Sequence, residues 1–174
     1  GNLLQDKVAV VTGAGSGIGA ASAARFAREG ARVLVADIRG RKAHETVELI
    51  TNAGGVATSI EVDVSQPDSV RAMIERCIEH FGQIDVLFNN AGTLRPGTAV
   101  ELDVSDWDLV MAVNVRSVFL GAKYAVPHMQ AQGAGSIINT DVGNVCPGRD
   151  PPPMAELPRS TTPVSVAFRH CSAL

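Results

Sequence analysis

The chain has 174 residues, of which 45% are hydrophobic, and a formal net charge of −3 at pH 7. This length allows one domain with a substantial core, and the small negative charge gives no electrostatic case for nucleic acid or a membrane surface as a partner. We expect a soluble cytoplasmic protein, because the sequence shows no signal peptide and no apolar run near the roughly 18 residues of a transmembrane helix.

The cysteines and histidines give no sign of a disulfide framework or a metal site. Cys77, Cys146 and Cys171 are widely spaced and odd in number, which favours reduced thiols. The four histidines show no metal-ligand spacing, so no metal is expected.

The first predicted element is a short buried strand at residues 7–11, followed directly by a glycine-rich run at 12–19. A helical pattern then continues to about Glu29 and ends at Gly30. A strand that leads through a glycine turn into a helix presents free backbone N–H groups to a phosphate. Glycine also lets the backbone approach that phosphate closely. Alone this is weak evidence, since glycine turns occur in many folds.

Strands and helices continue to alternate along the chain up to Thr140. Continuous apolar runs suit parallel strands that are covered on both faces, and the alternation indicates βαβ units. The further predicted strands are residues 32–37, 56–62, 85–89 and 136–139. The further predicted helices are residues 41–53 and about 106–130, with one more helix that begins at a Ser65–Asp68 capping box and ends at Gly82. The predicted fold is an α/β, Rossmann-type doubly wound parallel sheet, truncated after about five strands.

After Thr140 the regular pattern stops. Six of the nine prolines lie between Pro147 and Pro163, and proline lacks the N–H that helices and central strands require. We therefore predict a regular α/β domain at residues 1–140 and an irregular proline-rich tail at residues 141–174. The fifth strand would then form an exposed edge of the sheet.

The spacing of the glycines is T-G-x-x-x-G-x-G, at Thr12, Gly13, Gly17 and Gly19, and Asn89-Asn90-Ala91-Gly92 begins at the last residue of the fourth strand. With these motifs, residues 5–140 resemble the classical short-chain dehydrogenase/reductase family, and the resemblance implies that residues 1–140 form an NAD(P)-binding Rossmann domain. The resemblance implies hydride transfer between a nicotinamide cofactor and the alcohol or carbonyl carbon of a small-molecule substrate. We also expect a homo-oligomer.

The resemblance also implies the site residues. It assigns cofactor binding to Gly13, Ser16, Gly17, Ile18, Gly19, Asp37, Ile38, Asp63, Val64, Asn90, Ala91 and Gly92, and a catalytic role to Asn114. Asp37 ends the second strand about twenty residues beyond the glycines, where a carboxylate accepts hydrogen bonds from ribose hydroxyls. It would repel a 2′-phosphate, so we expect NAD(H) rather than NADP(H), although Arg39 two residues later keeps NADP(H) open.

Three of these residues have alternative interpretations without a ligand. Asp37 could be a carboxylate that caps a turn, and Asp63 could simply precede the Ser65 cap. Asn114 could be a buried polar residue that kinks or bridges the long helix.

The sequence departs from the family in its catalytic groups. The family uses a tyrosine as general acid or base, a lysine four residues later that lowers the pKa of the tyrosine, and a serine that holds the substrate oxygen. Val142 stands where the serine is expected, and the single tyrosine, Tyr124, follows Lys123 in the long helix. The best alignment of the tail puts Thr162 and Val166 at the tyrosine and lysine positions.

We therefore expect an NAD(H)-binding protein of this family that is catalytically impaired as written. One alternative is a non-catalytic NAD-binding or subunit-interaction protein derived from the same fold. Another is an ordinary dehydrogenase whose sequence after Thr140 is frameshifted, alternatively spliced or misread.

Overall fold

A computed structural model describes residues 2–140 and the backbone of residues 141 and 164–170. Six parallel strands form one sheet in the order β3-β2-β1-β4-β5-β6. The strands are β1 (Val8–Thr12), β2 (Arg32–Asp37), β3 (Val56–Glu61), β4 (Val86–Asn89), β5 (Gly135–Asp141) and β6 (Val164–His170). The helices are α1 (Gly17–Arg28), α2 (Gly40–Asn52), α3 (Pro67–Phe81), α4 (Val104–Met111) and α5 (Ser117–Ala131), with a π-helical turn (Ala112–Arg116) between the last two. The predicted α/β class with a doubly wound parallel sheet is confirmed.

The core consists of two apolar layers, one on each face of the sheet. Successive side chains of a strand point to opposite faces, so a buried parallel strand contributes to both layers. In β1, Val8 and Val10 belong to the first layer and Val11 to the second. The first layer includes Met73 and Ile74 of α3 and Leu120 and Met129 of α5, and the second includes Ala23 and Ala27 of α1 and Ala43 and Ile50 of α2.

The start of α3 differs from the sequence prediction. Gln66 is the residue before the helix, and Pro67 is its first residue, so the predicted Ser65–Asp68 capping box is wrong. The Ser65 backbone N–H instead donates to Asp63 Oδ1 at 2.9 Å, and Ser65 Oγ accepts a hydrogen bond from Gln66 Nε2 at 3.0 Å. Proline at the first helical position has a suitable φ and needs no N–H partner, which explains why the helix begins there.

The far side of the sheet also differs from the prediction. β5 pairs with β6 in parallel, from Gly135 opposite Val164 to Asp141 opposite His170. Residue 141 and residues 164–170 are therefore strand where irregular structure was predicted, and β5 is not an edge. The partner of β5 lies far along the chain, so local pattern could not indicate the pairing. The rest of the tail prediction, residues 142–163 and 171–174, lies outside the described residues.

The segment Val104–Ala131, which contains α4, the π-helical turn and α5, is 28 residues long. By length and composition alone it could cross a membrane, which differs from the expectation that no apolar run approaches the roughly 18 residues of a transmembrane helix. Core helices of folded domains meet the same criterion. Leu120, Ala125 and Met129 are buried in the first apolar layer, so one side of α5 packs on the sheet. Only 28% of the apolar window in this segment is buried.

Candidate functional site

The residues that follow β1, β2, β3 and β4 meet at one edge of the sheet. In a parallel sheet all carboxyl ends lie on the same side, and β1 and β4 are neighbours at the point where the strand order reverses. A cavity of about 460 Å³ lies at this edge. Its lining includes Gly13, Ser16, Asp37, Ile38, Arg39, Asp63, Val64, Asn90, Ala91, Gly92, Thr93, Arg95, Leu109 and Val113.

The glycine turn between β1 and α1 requires glycine at several positions. Gly13 and Gly17 have φ values of +64° and +55°, in the left-handed region that favours glycine. A Cβ on Gly13 would lie 2.9 Å from Ala91 Cα, and one on Gly19 would collide with the Gly13 carbonyl. A Cβ on Gly17 would meet nothing within 4 Å. The turn is therefore tightly packed at Gly13 and Gly19. It is open at Gly17, at the N-terminus of α1, where Ile18 is also exposed.

Thr12 and Asn90 fasten this turn to the loop after β4. Thr12 Oγ1 accepts hydrogen bonds from the backbone N–H groups of Asn90 and Ala91, each at 3.0 Å. Asn90 Nδ2 donates to the Thr12 carbonyl at 3.0 Å. Asn90 and Ala91 therefore hold two walls of the cavity together as well as lining it.

Asp37 lies at the end of β2 with a nearly buried side chain, 5% exposed. Its Oδ2 accepts a hydrogen bond from the Gly15 backbone N–H at 2.8 Å, and its Oδ1 accepts one from the Arg39 backbone N–H at 2.9 Å. A Cβ on Gly15 would lie 2.8 Å from Asp37 Oδ2, so glycine permits this contact. The geometry matches the turn-capping interpretation, and the same carboxylate lines the cavity.

Arg39 extends across the same end of the cavity. Its Nε lies 3.3 Å from Asp37 Oδ1, and its Nη2 donates to Ser16 Oγ at 2.9 Å. The guanidinium therefore links the turn after β2 to the glycine turn. The sequence indicates Arg39 only as a residue that keeps NADP(H) open as the cofactor. No local pattern predicts its contact with Ser16, which lies 23 positions away.

Asp63 and Val64 line the cavity beyond β3. Asp63 Oδ1 accepts a hydrogen bond from the Ser65 N–H. Because Gln66, not Ser65, precedes α3, the alternative interpretation of Asp63 as the residue before a Ser65 cap is wrong. Val64 packs against the first apolar layer. Arg116 Nη2 donates to the Ser65 carbonyl at 2.7 Å, so the π-helical turn is tied to this loop.

Asn114 lies in the π-helical turn and contacts the loop after β4. Its Oδ1 accepts from the Thr93 backbone N–H and its Nδ2 donates to the Thr93 carbonyl, both at 2.8 Å. Asn114 is half-buried, and its side chain joins the π-helical turn to the loop after β4, where it positions a residue of the cavity wall. Thr93, Leu109 and Val113 line the cavity as well and were not singled out in the sequence.

Lys123 and Tyr124 do not line the cavity. Tyr124 packs against the first apolar layer, and Lys123 Nζ lies 5.8 Å from the centroid of the Phe119 ring. Val166 lies in β6, paired in register with Ile137. Val142 and Thr162, the other positions matched to family catalytic residues, lie outside the described residues.

The chain matches the model of the family described as short chain dehydrogenase over residues 7–147. It is 46% identical over 135 residues to an uncharacterized oxidoreductase of Thermotoga maritima, a match that covers 78% of this chain and 53% of that protein. It is 43% identical over 138 residues to the 2,5-dichloro-2,5-cyclohexadiene-1,4-diol dehydrogenase of Sphingobium indicum, covering 79% of this chain and 55% of that protein.

Among solved structures, a hydroxysteroid dehydrogenase from Escherichia coli superposes with a TM-score of 0.76 at 34% identity, covering 79% of this chain and 58% of that one. The chain spans about half the length of the curated relatives that it matches. The family match covers most of the chain and includes the glycine turn and the loop after β4. The chain therefore belongs to the short-chain dehydrogenase family of oxidoreductases, whose members use nicotinamide cofactors, NAD or NADP.

Proposed function

We propose that this chain binds NAD(H) in the cavity at the carboxyl edge of the sheet, as the cofactor-binding part of an oxidoreductase. The observation that carries the proposal is the convergence of the glycine turn, Asp37 and the loop after β4 on one cavity of about 460 Å³. The open space above Gly17 leaves room for the pyrophosphate at the N-terminus of α1. Bound cofactor would supply the hydride, exchanged with an alcohol or carbonyl substrate.

The preference for NAD(H) rests on Asp37. Its nearly buried carboxylate would face the adenosine ribose, where it can accept hydrogen bonds from both hydroxyl groups. A 2′-phosphate at that place would bring two like charges together in a partly desolvated setting, which is unfavourable. NADH should therefore bind more tightly than NADPH.

Catalysis by this 174-residue chain is a separate question. The sequence after Tyr124 contains no tyrosine, so the phenolic proton donor that the family uses is missing from it. We expect cofactor binding without measurable oxidation of alcohols or reduction of carbonyls. A change in NADH absorbance that depends on such a substrate would contradict this expectation. A serine and a Tyr-x-x-x-Lys in another frame of the coding DNA would favour the frameshift alternative.

The experiment is calorimetric titration of the folded chain with NADH, with two alanine variants of left-handed glycines. Gly17→Ala places a methyl group in the space proposed for the pyrophosphate and should weaken binding at least about tenfold. Gly54→Ala is the control, because Gly54 has a φ of +83° and nothing within 4 Å of an added Cβ, outside the cavity. Both variants carry a similar backbone strain of about 1 kcal/mol. The proposal fails if folded wild-type chain binds no NADH, or if both variants weaken binding equally.

A second candidate function is association with another copy, carried by an exposed apolar stripe on the long helical segment. Val104, Trp107, Met111, Val115 and Phe119 follow one another at intervals of three or four residues and are all exposed. At this spacing they lie on one side of the helical segment. We use "apolar stripe" for these five residues.

The charges around the stripe suit a second copy of this chain. Its N-terminal half carries Asp103 and Asp108, together with Asp106, which is paired with Arg95 at 3.2 Å. Its C-terminal half carries Arg116 and Lys123. Two stripes packed antiparallel about a two-fold axis would bring the acidic half of one chain against the basic half of the other. The homo-oligomer expected from the sequence would form in this way.

A further inference from the structure

Thr46 is the polar member of the buried face of α2. Ala43, Thr46 and Ile50 follow one another at intervals of three and four residues and are all buried. Ala43 and Ile50 belong to the second apolar layer, and Thr46 is 3% exposed. A buried hydroxyl group is unfavourable unless it forms a hydrogen bond, and a valine would fill the same space without that requirement. Packing alone therefore does not explain a threonine at this position.

The Thr46 hydroxyl donates a hydrogen bond to the glycine turn. Its Oγ1 lies 2.9 Å from the Ala14 carbonyl oxygen and 3.3 Å from the Lys42 carbonyl oxygen. A hydroxyl group carries one proton. The Lys42 carbonyl can accept a backbone N–H within α2. Ala14 is fully buried, so its carbonyl depends on a donor from the protein, and Thr46 supplies it.

Thr46 and Asp37 hold opposite ends of one peptide group. Thr46 Oγ1 donates to the Ala14 carbonyl, and Asp37 Oδ2 accepts from the Gly15 N–H at 2.8 Å. The Ala14 N–H donates to the Ala36 carbonyl at 3.0 Å. Because a peptide group is planar, a hydrogen bond at each end fixes its orientation. The glycine turn is therefore held by α2 and β2 together.

This peptide group leads directly into Ser16, the residue before α1. Ser16 lines the cavity, has an extended backbone and forms no side-chain capping hydrogen bond with α1. Its hydroxyl instead accepts from Arg39 Nη2 at 2.9 Å. The first N–H groups of an α-helix have no partner within the helix. The orientation of the Ala14–Gly15 peptide group therefore sets the path of the backbone that brings these N–H groups to the cavity.

We propose that Thr46 is a positioning residue of the cofactor site, whose hydroxyl orients the glycine turn for the pyrophosphate. The inference rests on the proposed function and goes beyond it, because Thr46 acts from the buried face of α2, outside the cavity lining. Without the hydroxyl, the Ala14 carbonyl would be buried with no donor from α2. A rotation of the peptide group towards another partner would break the hydrogen bond between Gly15 and Asp37.

The test compares the full chain with Thr46→Val and Thr46→Ser. Thr46→Val keeps the buried volume and removes the hydroxyl, whereas Thr46→Ser keeps the hydroxyl and removes a methyl group. Thr46→Val should weaken NADH binding about tenfold in calorimetry, and Thr46→Ser should bind almost as the wild type does. If Thr46 acted through packing alone, serine would be the more harmful change. Where the valine variant does not fold, Thr46→Ala takes its place.

A second measurement reports the turn itself, with no cofactor present. Hydrogen exchange of the Gly15 amide, followed by NMR, should be at least about tenfold faster in Thr46→Val and near the wild-type rate in Thr46→Ser. Thr51→Val is the control for both measurements. Thr51 also lies on α2, and its hydroxyl contacts the Val47 and Glu48 carbonyls of the same helix. This variant should change neither NADH binding nor Gly15 exchange.

The outcomes separate this inference from the proposed function. Unchanged NADH affinity of folded Thr46→Val, or an equal loss in Thr46→Ser, overturns the role of Thr46 and leaves the site in place. Unchanged Gly15 exchange in Thr46→Val overturns it as well. Folded wild-type chain that binds no NADH overturns the proposed function, and Gly15 exchange then still decides whether Thr46 orients the turn. Circular dichroism of each variant verifies that it is folded.

Discussion

Asn114 binds both backbone polar groups of Thr93. Its Oδ1 accepts a hydrogen bond from the Thr93 N–H, and its Nδ2 donates one to the Thr93 carbonyl, each at 2.8 Å. An asparagine side chain can act in this way because it carries an acceptor and a donor side by side. The contact fixes the loop after β4 against the π-helical turn. π-Helical turns inside longer helices occur frequently at functional sites, and this one contributes Val113 to the cavity wall.

The first prediction concerns this pair. Asn114→Ala removes both hydrogen bonds and should lower the free energy of unfolding by about 1–3 kcal/mol. It should also weaken NADH binding, because Thr93 would no longer be held in the cavity wall. Urea denaturation and calorimetry measure the two effects. Asn52→Ala, at the exposed end of α2, is the matched control and should change neither quantity measurably. Unchanged stability of Asn114→Ala would contradict the positioning role.

The sequence predicts the parts of this molecule that depend on local pattern. The left-handed glycines at Gly13 and Gly17 and the buried apolar strand β1 follow from residue type and spacing. The position of Asp37 at the end of β2 also follows, because the apolar run before it is continuous. The confirmed fold class rests on these features.

Contacts between distant positions could not be predicted in the same way. The Arg39–Ser16 hydrogen bond and the Asn114–Thr93 pair each join residues more than twenty positions apart. The pairing of β6 with β5 depends on backbone groups that any residue but proline supplies. The sequence alone therefore does not predict which contacts join the walls of the cavity or how many strands the sheet contains.

The second prediction concerns Asp37. Asp37→Ala removes the acceptor of the Gly15 and Arg39 N–H groups and the proposed ribose ligand together. We expect at least about a tenfold loss of NADH affinity and a loss of stability of about 1–3 kcal/mol. Calorimetry and denaturation measure both. Asp68→Ala is the control, since Asp68 is exposed at the start of α3 and outside the cavity. NADH affinity that survives Asp37→Ala would exclude the carboxylate as a ribose ligand.

The third prediction concerns the buried thiol of Cys77. Burial in the first apolar layer raises the pKa of Cys77 from 9.0 to about 12. In a Cys146→Ser/Cys171→Ser background, the folded chain should therefore react with a thiol reagent at pH 8 only after unfolding. Rapid modification of folded chain would contradict this placement of Cys77.

The same shift gives Cys77 a defined pH dependence. The folded chain keeps the thiol proton above the unfolded pKa of 9.0, where the unfolded chain loses it. The stabilising contribution of the protonated thiol is therefore complete below pH 9.0 and decreases as the pH rises towards about 12. Stability of Cys77→Ala should fall less steeply with pH over this range than that of the parent chain.

The last prediction tests association through the apolar stripe. Phe119 is 62% exposed on α5, next to Lys123, and would be covered by the acidic half of a second stripe. Phe119→Asp would place a negative charge against the acidic half of the second stripe. Because like charges repel strongly once water is excluded, the variant should be monomeric. Light scattering after gel filtration measures the mass of each species. Leu49→Asp is the control, because Leu49 is similarly exposed, at 68%, on α2 and away from the stripe. A wild-type chain that is monomeric at all accessible concentrations would refute the interface, whereas a dimer that persists in Phe119→Asp would locate it on another surface.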